Sequence, residues 1–163
     1  MVKSNDVDTA EEKVQRKNHD INNSGRKSAE EKTMILITGG AFQGKSETAK
    51  QLYFAQENGK EPLILEGKTE EMELLKKADI ILHFHLWIRS LLEEGKDPYA
   101  MTEQLLKANP RVLITMNQMG CGIVPMDAFD RKYRETVGRI GCLLAKQAQE
   151  AYLVNCGIAK RLK

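Results

Sequence analysis

Between an apolar run and a helical segment the chain reads Gly39-Gly40-Ala41-Phe42-Gln43-Gly44-Lys45-Ser46, which fits G-x-x-x-x-G-K-[ST] without exception. The pattern leaves few folds open, because it needs a buried strand feeding a tight loop and a helix starting where the loop ends. Met34 to Thr38 supplies the apolar run, and Lys45 to Glu57 supplies the helical composition. Gly39 and Gly44 let the backbone curl so that consecutive N–H groups point into one concavity. The helix then offers unpaired N–H groups and its positive dipole end to phosphate oxygens. Lys45 brings a mobile cation to the β- and γ-phosphates, and Ser46 gives a hydroxyl to a bridging Mg2+. With Gly40, Ala41, Phe42 and Gln43 completing the cradle, Gly39 to Ser46 is expected to bind a nucleoside triphosphate. Lys45 is its catalytic cation and Ser46 its metal contact.

Downstream, short apolar runs alternate with helical segments. Strands are expected at Pro62 to Leu65, Ala78 to Phe84, Arg111 to Thr115 and Ala151 to Val154, and Gly157 to Leu162 adds a hairpin partner. Helices are expected at Thr69 to Lys77, Leu86 to Glu94, Pro98 to Ala108 and Asp127 to Glu150. Asn58-Gly59 closes the first helix as an αL cap. Met116 to Pro125 reads as a glycine-bearing loop. Alternation of this kind specifies an α/β fold, a three-layer P-loop NTPase-like domain with a mostly parallel sheet. The continuous apolar character of Ile80-Ile81-Leu82 fits a strand buried on both faces.

The 163 residues suffice for one ordinary domain, but the core is confined to residues 34–163. Residues 1–33 hold only Val2, Val7, Val14 and Ile21 as large aliphatic side chains besides the initial Met1, together with seven basic and seven acidic residues. They are read as a disordered polar tail. The formal net charge of +2 gives no sign of a nucleic-acid partner. No stretch approaches the length of a membrane span. Cys121, Cys142 and Cys156 form neither a CxxC pair nor a metal-ligand spacing, which suits reduced thiols in a cytoplasmic protein.

The start Met34-Ile35-Leu36-Ile37-Thr38-Gly39-Gly40-Ala41 is one of several segments with a shared likeness. The others are Asn117-Gln118-Met119-Gly120-Cys121-Gly122-Ile123-Val124-Pro125, Tyr133-Arg134-Glu135-Thr136-Val137-Gly138-Arg139 and the closing Ala151-Tyr152-Leu153-Val154. Together they resemble the adenosylcobinamide kinase/adenosylcobinamide-phosphate guanylyltransferase family of cobalamin biosynthesis. The resemblance implies ATP- or GTP-dependent phosphorylation of adenosylcobinamide, and transfer of GMP to the product through a guanylylated histidine. It also implies a homo-oligomer, commonly a trimer. Three departures stand beside it: no histidine lies between Lys45 and Leu82, the third strand runs into His83-Phe84-His85 without a carboxylate, and the loop carries Gln118 in place of a glutamate.

Several residues are candidates to complete the site. Glu66, at the end of the second strand, is read as a holder of the magnesium water shell or a ribose hydroxyl, or else as an exposed loop carboxylate. His83 and His85, two apart, share one face if they lie on a strand, as nucleophile, proton shuttle, metal contact or plain rim histidines. Asn117 and Gln118 are expected to line the cleft. Gly120 and Gly122 are read as serving backbone geometry. Arg134 and Arg139 reach an anionic ligand or another subunit, or form a solvated helix face. Cys142 is read as a small core residue and Trp87 as packing. Three functions follow: a nucleotide-dependent kinase of cobalamin biosynthesis, a non-catalytic nucleotide-binding relative, and a small P-loop kinase or NTPase with another substrate.

Overall fold

The computed structural model describes residues 34–57, 59–68, 71–120 and 122–163; the tail expected over 1–33 lies outside them. In chain order the elements are β1 (Ile35–Gly39), α1 (Lys45–Gln56), β2 (Ile64–Glu66), α2 (Met72–Leu75), β3 (Ile80–Leu82), α3 (Phe84–Glu93), α4 (Pro98–Ala108), β4 (Leu113–Asn117), α5 (Ala128–Gln147), β5 (Glu150–Asn155) and β6 (Ile158–Arg161). They form one six-stranded sheet in the order β2-β3-β4-β1-β5-β6. Every pairing is parallel except the β5–β6 hairpin.

Alternation along the strands explains why the sheet is covered on both faces. Ile35 and Ile37 of β1 pack with Ile80, Leu82 and Leu113 against Ala49 and Tyr53 of α1. Their neighbours Leu36, Ile81 and Ile114 join the opposite core with Phe84 and Ile88 of α3, Leu105 of α4, and Val137, Ile140 and Leu144 of α5. Successive side chains point to opposite faces, so strands with apolar residues at every position need a helical layer on each side. The expected three-layer α/β fold is therefore the observed one. No helix among the described residues is long and apolar enough to cross a membrane.

The element boundaries move where local signals compete. β3 stops at Leu82, His83 adopts a left-handed conformation (φ 54°, ψ 43°), and Phe84 already opens α3. The expected strand through Phe84 is thus too long, because Phe84, Ile88 and Leu91 recur at helical spacing and all are buried. β2 and β4 each begin two residues later than expected. The helix expected over Thr69 to Lys77 is reduced to Met72–Leu75. Asn58 lies outside the described residues, although its neighbour Gly59 does take a positive φ of 78°. α5 ends at Gln147 rather than Glu150: the Lys163 ammonium donates to the carbonyls of Ala145, Lys146 and Ala148 there, a cation at the negative helix end. α4 starts as expected at Pro98, and α5 starts one residue later than expected, at Ala128. The Asp97 carboxylate accepts from the Tyr99 N–H at 2.9 Å and the Asp127 carboxylate from the Asp130 N–H at 3.1 Å.

Phe84 is wholly buried and stacks obliquely on Trp87 with ring centroids 5.1 Å apart. Phe84→Ala is expected to cost about 3–5 kcal/mol of stability, read as a fall in the urea midpoint without a change in slope.

Candidate nucleotide site

The parallel strands β1 to β4 end on one edge of the sheet, at Gly39, Glu66, Leu82 and Asn117, the edge where ligands bind in open α/β sheets. β1 leaves it through the P-loop. A Cβ on Gly39 would stand 2.2 Å from the Val154 carbonyl oxygen, so no larger residue fits beside β5. Phe42 (φ 58°) and Gly44 (φ 90°) both turn left-handed. Gly44 precedes α1 without a side-chain cap, leaving the first N–H groups of the helix to an anion. The β5–β6 turn braces the loop from behind. Gln43 accepts the Gly157 N–H on its carbonyl at 3.0 Å and the Cys156 N–H on its side-chain oxygen at 2.5 Å.

A cavity of about 580 Å³ opens over this loop, lined by Ala41 to Glu47 and Lys50 of the loop and α1 together with His83, Leu86 and Asn117. Lys45 is buried and its ammonium donates to the Gly40 carbonyl at 2.5 Å; burial pulls its pKa below the ordinary lysine value. Ser46 stands one residue further on, in the first turn of α1. Of the other expected residues, Asn117 lines the cavity. Gln118 does not; it contributes a main-chain bond, its N–H donating to the Gly39 carbonyl at 3.0 Å. Glu66 is set back from the cavity and reaches it only through His83. Lys50, on the cavity wall, was not singled out from the sequence. Its spacing of four from Ser46 on one helix face was the available signal.

Three expectations around α5 are corrected. Gly120 has no positive φ, and a Cβ on Gly120 or Gly122 would meet no described neighbour. The loop is shaped instead by Arg134, whose guanidinium donates to the carbonyls of Gly120, Gly122 and Ile123. Arg134 is thus a loop clamp, while Arg139 pairs with Glu135 one turn away. Cys142 is exposed rather than a core residue, since it falls between the buried positions Ile140 and Leu144. Trp87 is packed as expected.

The two histidines do not share a strand face. His83 is the residue before α3, its N–H donating to the Thr115 hydroxyl at 3.0 Å, and its ring Nδ1 lies 2.6 Å from Glu66 Oε2. An ionised carboxylate only accepts, so Nδ1 carries the proton. Gly67 makes the contact possible: its N–H donates to the Leu82 carbonyl at 2.7 Å, and a Cβ there would stand 2.7 Å from the His83 carbonyl oxygen. His85, inside α3, is buried and faces Asn117. Its Nδ1 accepts the Asn117 N–H at 3.3 Å, which puts the ring proton on Nε2, 3.1 Å from the Asn117 side-chain amide. An Nε2–H facing the amide selects the flipped Asn117 side chain, with Oδ1 rather than Nδ2 as its partner. Burial, then the nearby His83 and Lys45, push the His85 pKa down from 6.5 to about 4, so the ring is neutral. No group of three or more His, Cys, Asp or Glu capable of holding a metal is found among the described residues. With a folded pKa below the unfolded one, the unfolded chain binds the extra proton first. Stability is accordingly full above pH 6.5 and falls as the pH drops toward 4. The loss is on the order of 3 kcal/mol, and urea unfolding at stepped pH should show it in the native chain and not in His85→Gln.

Comparison with known proteins gives the same direction from other residues. The family described as cobinamide kinase / cobinamide phosphate guanyltransferase matches residues 61–162, beginning after the P-loop. The bifunctional adenosylcobalamin biosynthesis protein CobU of Escherichia coli (strain K12) is 26% identical over 180 aligned positions that take in 80% of this chain and 99% of that protein. A span of that size cannot avoid the P-loop, and 180 positions exceed the 163 residues of the whole chain, so the alignment carries gaps on this side. The protein of the same name from Salmonella typhimurium strain LT2 is 38% identical over 53 residues, 32% of this chain and 29% of that one. With more than half its length matched by the family, and a mostly parallel α/β sheet flanked by helices, this chain belongs to the cobinamide kinase / cobinamide phosphate guanyltransferase family.

Proposed function

We propose that this protein is a cytoplasmic nucleotide-dependent kinase of cobalamin biosynthesis, phosphorylating adenosylcobinamide with ATP or GTP. The observation that carries the reading is the P-loop cavity, with Lys45 buried at its floor, in a chain of this family. Ala41, Phe42, Gln43, Gly44, Lys45 and Ser46, which line the cavity with Asn117, hold the triphosphate together with Gly39 and Gly40 at the end of β1. The half-buried Asn117 amide is oriented at one end by neutral His85, and its other end has no hydrogen bond among the described residues. Phosphoryl transfer needs positioning and charge stabilisation more than covalent chemistry, and these residues supply both. Mg2+ fits the donor set in its ordinary mode, in which one or two protein oxygens join phosphates and waters: Ser46 would be the protein ligand. The ion would neutralise charge on the β- and γ-phosphates.

The guanylyl-transfer step lacks its expected carrier, because the segment between Lys45 and Leu82 has no histidine to take GMP. A second reading, a nucleotide-binding partner without turnover, is favoured by His83 standing where the third strand would end in a carboxylate. Purified protein with labelled ATP or GTP, Mg2+ and adenosylcobinamide separates the two. Phosphorylated corrinoid is expected, and Lys45→Ala is expected to lower its rate on the order of 10²-fold or more; bound nucleotide without product would establish the second reading. Product on an unrelated acceptor only would point to a different kinase. The apolar side chains of Ile123 (96% exposed) and Met126 (97%) offer a surface to a second copy. Sedimentation is therefore expected to show a homo-oligomer, with a trimer the expected size, and Ile123→Asp to shift it toward monomer.

A further inference from the structure

His83 and Glu66 form a dyad that nothing in the P-loop chemistry uses. Glu66 ends β2, His83 follows β3, and the two strands pair in register as Glu66↔Leu82. Their contact of 2.6 Å is sustained by three local devices: the Gly67 close approach, the Thr115 hydroxyl on the His83 N–H, and the Leu86 N–H on the His83 carbonyl at 2.8 Å. His83 is also held in a left-handed conformation, φ 54°. Such strain in a non-glycine residue persists where surroundings over-determine it, and clusters at working sites. With Nδ1 donating to the carboxylate, the lone pair sits on Nε2, which has no hydrogen bond among the described residues. The ring is 40% exposed and lines the same cavity as Lys45 and Ser46.

We infer that His83 is the general base of the phosphoryl transfer and Glu66 the residue that positions and charges it; this rests on the kinase reading above. Nε2 takes the proton of the acceptor hydroxyl as that oxygen bonds to the γ-phosphorus. The bond from this phosphorus to the bridging oxygen breaks, and its electron pair leaves with the nucleoside diphosphate. The imidazolium is held against the Glu66 carboxylate until its proton passes to water. The same carboxylate–imidazole logic orients bases in unrelated enzymes.

The test measures kcat and KM for nucleotide and for adenosylcobinamide in the native protein, His83→Ala and Glu66→Gln, with and without added imidazole. His83→Ala is expected to lower kcat about 10²-fold with the nucleotide KM little changed, and imidazole is expected to restore part of the loss. Glu66→Gln keeps a hydrogen-bond acceptor but loses the charge, and is expected to lower kcat about tenfold without moving the nucleotide KM. A His83→Ala enzyme with native kcat overturns the base while leaving the kinase reading intact. So does a loss that appears only in nucleotide KM and ignores imidazole, or a GMP adduct found on His83 by mass spectrometry after incubation with GTP. A native protein that phosphorylates no adenosylcobinamide overturns both.

Discussion

Where β1 becomes the phosphate loop, the chain has no room for a side chain, and the site depends on that close approach. A Cβ on Gly39 would meet the Val154 carbonyl oxygen at 2.2 Å, and one on Gly44 would meet the Gly157 Cα at 3.3 Å. Both neighbours belong to the β5–β6 hairpin. Its turn has Cys156 at φ 50° and Gly157 at φ 77°, the primed geometry that matches the twist of the flanking strands. In that geometry the N–H groups of both turn residues reach Gln43. The curvature of the cradle is thus set in part by residues more than a hundred positions away, and glycine at 39 answers to packing as much as to phosphate.

Much of this architecture was legible because it is written locally. The P-loop is contiguous, the caps Asp97 and Asp127 precede their helices directly, and every core strand carries apolar residues on both faces. The junction of β3 and α3 was not legible for the opposite reason. From Ile80 to Ile88 the apolar residues are dense enough to satisfy both a period of two and one of 3.6. The choice is made by the α5 residues Val137 and Ile140, which share a core with Phe84 and Ile88. At Gly120 and Gly122 the sequence signal is ambiguous in another way: a glycine pattern reads as a backbone requirement, whereas Arg134 holds the loop through three carbonyls. The Glu66–His83 contact, seventeen residues apart in sequence, needed the β2–β3 register to become visible.

Charge is distributed around the cavity in a way that suits a polyanion. Lys45 and Lys50 outnumber Glu47 on its wall beside the N-terminus of α1, and the dipole of that helix adds its positive end. Two features of the cavity bear on this field. His85 is held neutral by burial first and by His83 and Lys45 second, which keeps its Nδ1 available to the Asn117 N–H. Lys45, held below its ordinary pKa by burial, donates to the Gly40 carbonyl of its own loop. A triphosphate would compete for the same ammonium with charge-assisted bonds, roughly twice as strong as neutral ones.

The two histidines show how a one-residue backbone excursion divides chemical work. Had the strand run on through Phe84, His83 and His85 would have projected from the same face with similar surroundings. The left-handed turn at His83 instead starts α3 early and swings His85 into the core, where its ring becomes a fixed hydrogen-bonding post for Asn117. The rings end 6.0 Å apart and nearly perpendicular, at 87°. Only His83 keeps solvent access and a carboxylate partner. A proton taken up by His83 would place its charge between Glu66 and the phosphates, whereas one on His85 would be buried between His83 and Lys45 with no anion facing it. Two identical side chains two residues apart are thereby assigned opposite roles, one to exchange protons and one to refuse them.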